Sequence, residues 1–84
     1  MNDLNDSNIE ELGYLRLKNV LEIIPVSRST WYLWVQCGIA PKPTSISLRI
    51  AAWKVREIKE LLVEIDKPEW REKLKQKLKS LKKL

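Results

Sequence analysis

Residues 27–43, SRSTWYLWVQCGIAPKP, mark out a short helix at both of its ends. Ser27 is a favourable N-cap, because its hydroxyl can accept a hydrogen bond from a free amide in the first turn. Trp31 and Trp34 follow at helical spacing and predict an inward apolar face. Gly38 can adopt the left-handed conformation that closes a helix, and the prolines beyond it provide a stiff exit.

A second short helix is predicted just upstream, over residues 15–24. Its apolar residues recur on one face: Leu17, Val20, Leu21 and Ile24. Pro25 ends this helix, since the residue before a proline is disfavoured in the helical region. Two short helices joined by a tight turn form a helix-turn-helix.

Downstream, residues 44–53 change to a period of two and predict a two-stranded hairpin, or wing, that turns near residues 47–48. Apolar residues at helical spacing over residues 55–65 predict an amphipathic helix that closes the small core. Asp66, as a cap, and Pro68, in an early turn, predict the start of a last helix. The apolar stripe of that helix is Trp70, Leu74, Leu78 and Leu81.

The 84 residues carry a formal net charge of +5, and its distribution along the chain is more informative than the total. Residues 1–12 contain four acidic residues and no basic one, whereas residues 13–56 contain seven basic residues and one acidic residue. Residues 57–66 are acidic again, and residues 67–84 contain eight basic residues. A folded segment so rich in positive charge indicates a surface that faces a polyanion.

The solvent face of the helix within residues 27–43 carries side chains suited to base edges and phosphates in a DNA major groove. Arg28 favours a functional role, because an arginine at the positive end of a helix is otherwise slightly unfavourable. Arg49 lies at the predicted wing, where it can enter a minor groove. The predicted DNA contacts are Arg28, Ser29, Thr30, Tyr32, Gln36, Lys42, Arg49 and Lys54, and further candidate phosphate contacts are Arg16, Lys18 and Arg56.

Composition argues against several other chemistries. Cys37 is the only cysteine and the chain has no histidine, so we expect no internal disulfide, no Cys-His nucleophile and no zinc site. No glycine-rich phosphate loop is present, and we expect neither an enzyme nor a cofactor. The sequence has no apolar run long enough to span a membrane and no signal peptide, so we expect a cytoplasmic protein.

In order and spacing, these features resemble the AlpA family of phage regulators, which is similar to winged helix-turn-helix proteins of the MerR and excisionase type. The resemblance covers residues 15–65. The motifs that carry it are Leu15-Arg16-Leu17, Ser27-Arg28-Ser29-Thr30 with Tyr32, Gly38, Pro41-Lys42-Pro43, Arg49 and Ala52-Trp53. At the wing tip this chain has Ser47-Leu48-Arg49, where the family usually has a glycine before its arginine.

The predicted fold is mainly α with a small β-hairpin: a winged helix-turn-helix followed by a basic C-terminal helix. We expect a disordered acidic tail over residues 1–12, a DNA-binding domain over residues 13–66 and a basic amphipathic helix over residues 67–84. The resemblance implies a sequence-specific double-stranded DNA-binding protein of a phage or mobile element. Such a protein would act as a transcriptional regulator, an excisionase-type recombination directionality factor, or both, with an integrase or RNA polymerase as candidate partners.

The C-terminal helix leaves three alternatives open. It can form a homodimer or cooperative multimer, pack on the chain's own core and add phosphate contacts, or lie on an anionic membrane, of which the last is least favoured. In the first alternative the interface is Trp70, Leu74, Leu78 and Leu81. The alternative function for the whole chain is a non-enzymatic protein-interaction module that acts through this basic helix.

Overall fold

The computed structural model describes residues 13–82, which form four helices and a three-stranded antiparallel sheet. In chain order the elements are β1 (Tyr14–Leu15), α1 (Leu17–Ile23), α2 (Arg28–Cys37), β2 (Thr44–Ser45), β3 (Ala51–Lys54), α3 (Val55–Ile65) and α4 (Trp70–Lys82). The predicted tail, residues 1–12, lies outside the described residues. The prediction of a mainly helical chain with a small hairpin and a helix-turn-helix is confirmed.

Helix α2 begins and ends where its sequence predicts. Ser27 has an extended backbone, and its Oγ accepts a hydrogen bond from the Thr30 amide at 3.1 Å. Gly38 has a φ of 81°, and its amide donates to the carbonyls of Trp34 and Val35. Because glycine adopts this left-handed conformation without steric cost, Gly38 determines where the helix stops.

The core is built around tryptophans. Trp31 and Trp53 are almost fully buried, and their rings meet edge to face with 5.7 Å between centroids. The indole N–H of Trp53 donates to the Pro41 carbonyl at 2.9 Å, which ties the wing to the segment leaving α2. The other buried core residues are Val20, Ile24, Trp34, Ala40, Ala52, Ile58 and Leu61. The prediction that these tryptophans are core residues is therefore confirmed.

The wing is the hairpin of β2 and β3, whose antiparallel register places Thr44 opposite Ala52. A third strand, which no sequence pattern predicts, lies on the other edge of β3: β1 places Leu15 opposite Trp53. A strand of two residues is too short to show an alternating pattern, so it leaves no signal in the sequence. Through this strand, the segment that enters α1 is hydrogen-bonded to the wing.

Helix α4 packs on α2 through its first turns. Trp70 meets Trp34 edge to face with 5.7 Å between ring centroids, and Leu74 packs against the same core. Leu78 is half-buried. Of the alternatives for this helix, packing on the chain's own core is therefore observed for its first turns.

The start of α4 differs from the prediction, because the helix begins at Trp70 rather than directly after Asp66. Asp66 still belongs to the last turn of α3: its backbone is helical, and its amide donates to the Leu62 carbonyl at 3.2 Å. An N-cap residue needs an extended backbone, so Asp66 cannot serve as the cap of the next helix.

A small charge cluster joins α3 to α4. Glu64 accepts hydrogen bonds from Lys67 at 2.9 Å and from Lys73 at 3.1 Å. The hydrogen bond from Lys67, followed by that from Lys73, lowers the pKa of the Glu64 carboxyl below its ordinary value. The hydrogen bond to Glu64 in turn raises the pKa of Lys67. Helix α4 is therefore held to α3 by an ionic contact and to α2 by the pair of Trp34 and Trp70.

Candidate nucleic-acid interface

One concave surface gathers basic side chains from the starts of α1 and α2 and from the wing. It encloses about 700 Å³. We term it the basic cleft; its polar lining residues are Arg16, Lys18, Asn19, Arg28, Tyr32 and Arg49, and its apolar lining residues are Leu17, Ala51 and Trp53. None of these lining residues carries a carboxylate, so within residues 13–82 the lining itself supplies no negative charge to balance the positive ones.

The start of α1 forms one wall of the cleft. Arg16 precedes the helix with an extended backbone, and its carbonyl accepts a hydrogen bond from the Val20 amide at 3.0 Å. Lys18 and Asn19 lie in the first turn, which contains no acidic residue. Positive side chains are unfavourable there, because the first turn of a helix is itself the positive end of its dipole. These residues therefore weaken the helix while they increase the attraction of the cleft for anions.

Helix α2 forms the second wall. Arg28 is its first residue and Tyr32 lies one turn later, so the two side chains are neighbours on the helix surface. The Tyr32 ring contacts the Trp53 ring with 6.4 Å between centroids, and 42% of the residue remains exposed. The core thus holds the tyrosine in place while part of it stays open to the cleft.

The wing contributes Arg49, which lines the cleft together with Ala51 and Trp53. Ala51 and Trp53 alternate along β3, as expected for side chains on one face, since successive strand residues point to opposite faces. Arg49 lies in the loop that leads into this strand. Lys54 is exposed and follows Trp53 directly, so it lies on the other face of β3. The structure therefore does not bring Lys54 into the cleft.

The predicted contacts on α2 and beyond it divide into three groups. The first group lines the cleft and consists of Arg28, Tyr32 and, from the wing, Arg49. Those that are exposed outside it are Ser29, Gln36 and Lys42. Thr30 is half-buried, and its Oγ1 accepts a hydrogen bond from the Ser27 hydroxyl at 2.9 Å, so its side chain is engaged in the helix cap.

Ser29 and Gln36 share the outer face of α2. They are seven residues apart, close to two full turns, and therefore project in nearly the same direction. Trp31 and Trp34 occupy the opposite side and are buried. A groove that receives α2 would meet the two polar side chains first.

Asn19 lines the cleft although no sequence pattern predicts it as a contact, and the sequence predicts Arg16 and Lys18 only as further phosphate contacts. Their position depends on β1, whose pairing with β3 brings the start of α1 beside the wing. The available sequence signal is the presence of two basic residues at the start of a predicted helix, where they are unfavourable.

Three ion pairs of the described chain lie outside the basic cleft. The ion pairs of Glu64 with Lys67 and Lys73, and of Glu72 with Lys75, involve none of the lining residues of the cleft. Across residues 13–82, His, Cys, Asp and Glu side chains form no group of three or more that could hold a metal ion. In the same part of the chain, no helix combines the length and the apolar character that a membrane crossing requires.

Residues 13–66 match the family described as prophage CP4-57 regulatory protein (AlpA). The match covers more than half of the chain and includes all lining residues of the basic cleft. No curated protein matches the chain, and no solved structure matches it.

Proposed function

The chain belongs to the AlpA family of prophage regulatory proteins, and we propose that it binds specific double-stranded DNA sequences through the basic cleft and the outer face of α2. Members of this family are regulators rather than enzymes, so the chain is not an enzyme. Phage-related transcriptional regulation follows from the family. The DNA contacts below are the part that we propose.

The observation that carries the proposal is the convergence of four cationic side chains on one cleft: Arg16, Lys18, Arg28 and Arg49. No carboxylate among the lining residues compensates them, and three of them lie at or next to the positive end of a helix. Such an arrangement opposes folding unless an anion neutralises it. The DNA backbone supplies closely spaced negative charges, and their neutralisation releases counterions.

In the proposed complex, α2 enters the major groove. Ser29 and Gln36 on its outer face meet base edges, where a glutamine can pair with adenine. Arg28 contacts a guanine edge or a phosphate, and Tyr32 donates its hydroxyl to a phosphate. Thr30 contributes by holding the cap that shapes the first turn.

The flanks of the complex supply affinity rather than base recognition. Arg49 brings the wing to the adjacent minor groove or its backbone. Arg16 and Lys18 meet phosphates across the cleft, and Lys42 and Lys54 extend these contacts beyond it. The charged contacts make the affinity depend on salt, whereas the outer face of α2 determines which sequence is bound.

We further propose that the protein regulates a promoter or directs excision of a phage or mobile element, together with RNA polymerase or an integrase. A domain of this size spans few base pairs, so several copies act on repeated or paired sites. Trp70 and Leu74 are half-buried and pack against the core, and Leu78 is half-buried as well, so each of the three keeps some surface that another copy could cover.

The test selects duplexes from a random-sequence library with the full-length protein and measures their binding by fluorescence anisotropy. We expect the selected duplex to be bound at least about tenfold more tightly than a shuffled duplex of equal composition. Arg28→Ala and Arg49→Ala should each weaken specific binding by about fivefold to 150-fold. Arg71→Ala, an exposed arginine on α4, is the matched control and should bind as the wild type does.

Equal and weak binding to all duplexes, or wild-type binding by Arg28→Ala, would reject the proposal. That outcome would favour the alternative in which the basic helix α4 binds an acidic protein. The two functions are separable, because the arginines of the cleft lie outside α4.

A further inference from the structure

The tip of the wing presents a leucine to solvent. Leu48 is fully exposed, with a relative solvent-accessible surface of 104%, so its side chain is not packed against the fold. Among the large apolar residues of the described chain, the second most exposed is Val63 at 59%. Ile46, two residues before Leu48, is 51% exposed. Burial is what makes a leucine stabilising, so Leu48 contributes almost nothing to the folded state.

Hydrogen bonds hold the tip in one shape, although it contains no glycine. The Ile46 amide donates to the Ile50 carbonyl at 2.8 Å, which closes the loop. The Ser45 hydroxyl donates to the Ser47 carbonyl at 3.1 Å, and the Arg49 amide donates to the Ser47 Oγ at 3.4 Å. The leucine between the last two residues is therefore displayed at a defined position.

The residue after this leucine connects the tip to the basic cleft. Arg49 lines the cleft with Arg28 and Tyr32, so a duplex bound in the cleft also reaches the tip. The thymine methyl groups face the major groove, so the apolar surfaces that an apolar side chain meets in the minor groove are the sugar faces and the space between stacked bases. Leucine and isoleucine side chains of DNA-binding proteins insert there from the minor groove, unstack a base step and bend the helix.

We propose that Leu48 is an apolar wedge that enters a base step next to the backbone contact of Arg49 and kinks the duplex. The inference rests on the proposed DNA-binding function and extends it to DNA shape. Ile46 flanks the wedge and covers the sugar edges beside it. Pyrimidine–purine steps separate most easily, so the wedge selects a TA or CA/TG step without any hydrogen bond to a base.

The test uses the selected duplex with 2-aminopurine placed at successive positions, because the fluorescence of this base rises when it is unstacked. Binding of the full-length protein should raise the fluorescence at one step and shorten the end-to-end distance measured by energy transfer. Leu48→Ser should abolish both signals but reduce affinity by less than about tenfold, because the cost of unstacking disappears with the contact. Leu48→Met should retain both signals.

Val63→Ser is the matched control, since Val63 is an exposed apolar residue on α3 outside the cleft, and it should leave both signals intact. Unchanged fluorescence and bending in Leu48→Ser would overturn the wedge and leave the DNA-binding proposal standing. If that variant also lost regulation of a reporter promoter, the tip would contact a protein instead. A wild-type protein that prefers no duplex over shuffled DNA would overturn the proposed function itself.

Discussion

Ser27 and Gly38 determine the two ends of α2 by different means. Ser27 supplies an oxygen that accepts the Thr30 amide, and Gly38 supplies a backbone that takes a φ of 81° without a steric penalty. The sequence predicts both roles, because each depends on residue type alone. The sequence also predicts that Trp31 is buried. It does not predict that the indole N–H of this residue has no hydrogen-bond acceptor among residues 13–82.

Replacing Ser27 by alanine removes the cap of the helix that carries the candidate contacts. We expect Ser27→Ala to lower the free energy of unfolding by about 1 kcal/mol, because the Thr30 amide loses its acceptor. Ser29→Ala, two residues further and exposed, should change it by much less. Urea denaturation followed by circular dichroism measures both, and equal stabilities of the two variants would contradict the capping role.

The left-handed backbone at Gly38 allows a second test at the same scale. A Cβ at this position would meet nothing closer than the Lys77 Nζ at 4.0 Å, so alanine fits sterically. We expect Gly38→Ala to cost about 1–2 kcal/mol through backbone strain alone. Asparagine tolerates the same conformation, so Gly38→Asn should melt between the wild type and the alanine variant. Equal melting of Asn and Ala variants would argue against strain as the cause.

At the scale of elements, the sequence predicts the four helices and the hairpin because each has a periodic apolar pattern or a turn residue. It does not predict β1, whose two residues have no period, and it places the start of α4 too early because Asp66 serves the preceding helix. The candidate site divides in the same way. The sequence predicts that Arg28 and Tyr32 are neighbours, because both lie on one periodic helix. The joining of Arg16 to Arg49 depends on strand pairing between distant segments.

The ionic contact between α3 and α4 makes their packing depend on pH. The pKa of Glu64 is lowered in the folded chain, so its stabilising effect is present above the ordinary value of 4.5 and is lost as pH falls through the lowered pKa. We expect Glu64→Gln to melt below the wild type at neutral pH and to converge with it in acid. Glu60→Gln, exposed on the same helix, is the control.

The alkaline side provides the complementary observation. The pKa of Lys67 is raised, so its contribution is present below the ordinary value of 10.5 and is lost as pH rises through the raised pKa. The difference in melting temperature between the wild type and Glu64→Gln should therefore shrink again at high pH. A difference that stays constant across pH would show that the contact contributes nothing electrostatic.

At the scale of the whole molecule, charge is segregated between two surfaces. The basic cleft occupies one of them, and a second concave surface beside Gly38 carries Glu57, Glu60 and Glu64. A polyanion is attracted more strongly to the first surface than to the second, so under the proposed function we expect the molecule to approach DNA in a preferred orientation. Association should accordingly be fast at low salt and slow markedly as salt increases.

Salt dependence measures how many of these charges contact phosphate. If Arg16 neutralises one phosphate, Arg16→Ala should reduce the slope of log affinity against log salt by about 0.9. The loss should be similar for selected and shuffled duplexes, because a phosphate contact carries no sequence information. Arg71→Ala provides the reference slope, and an unchanged slope in Arg16→Ala would remove this residue from the phosphate contacts.

The four tryptophans of the chain form a continuous series of neighbouring rings. Trp53, Trp31, Trp34 and Trp70 follow one another with centroid separations of 5.7, 6.4 and 5.7 Å, from the wing to the C-terminal helix. Indole rings this close share excitation energy and give coupled circular dichroism bands. Tyr32 joins the series at Trp53 and faces the cleft, so occupation of the cleft should change the emission of the whole series. The protein therefore contains its own fluorophore array for reporting ligands, without any attached label.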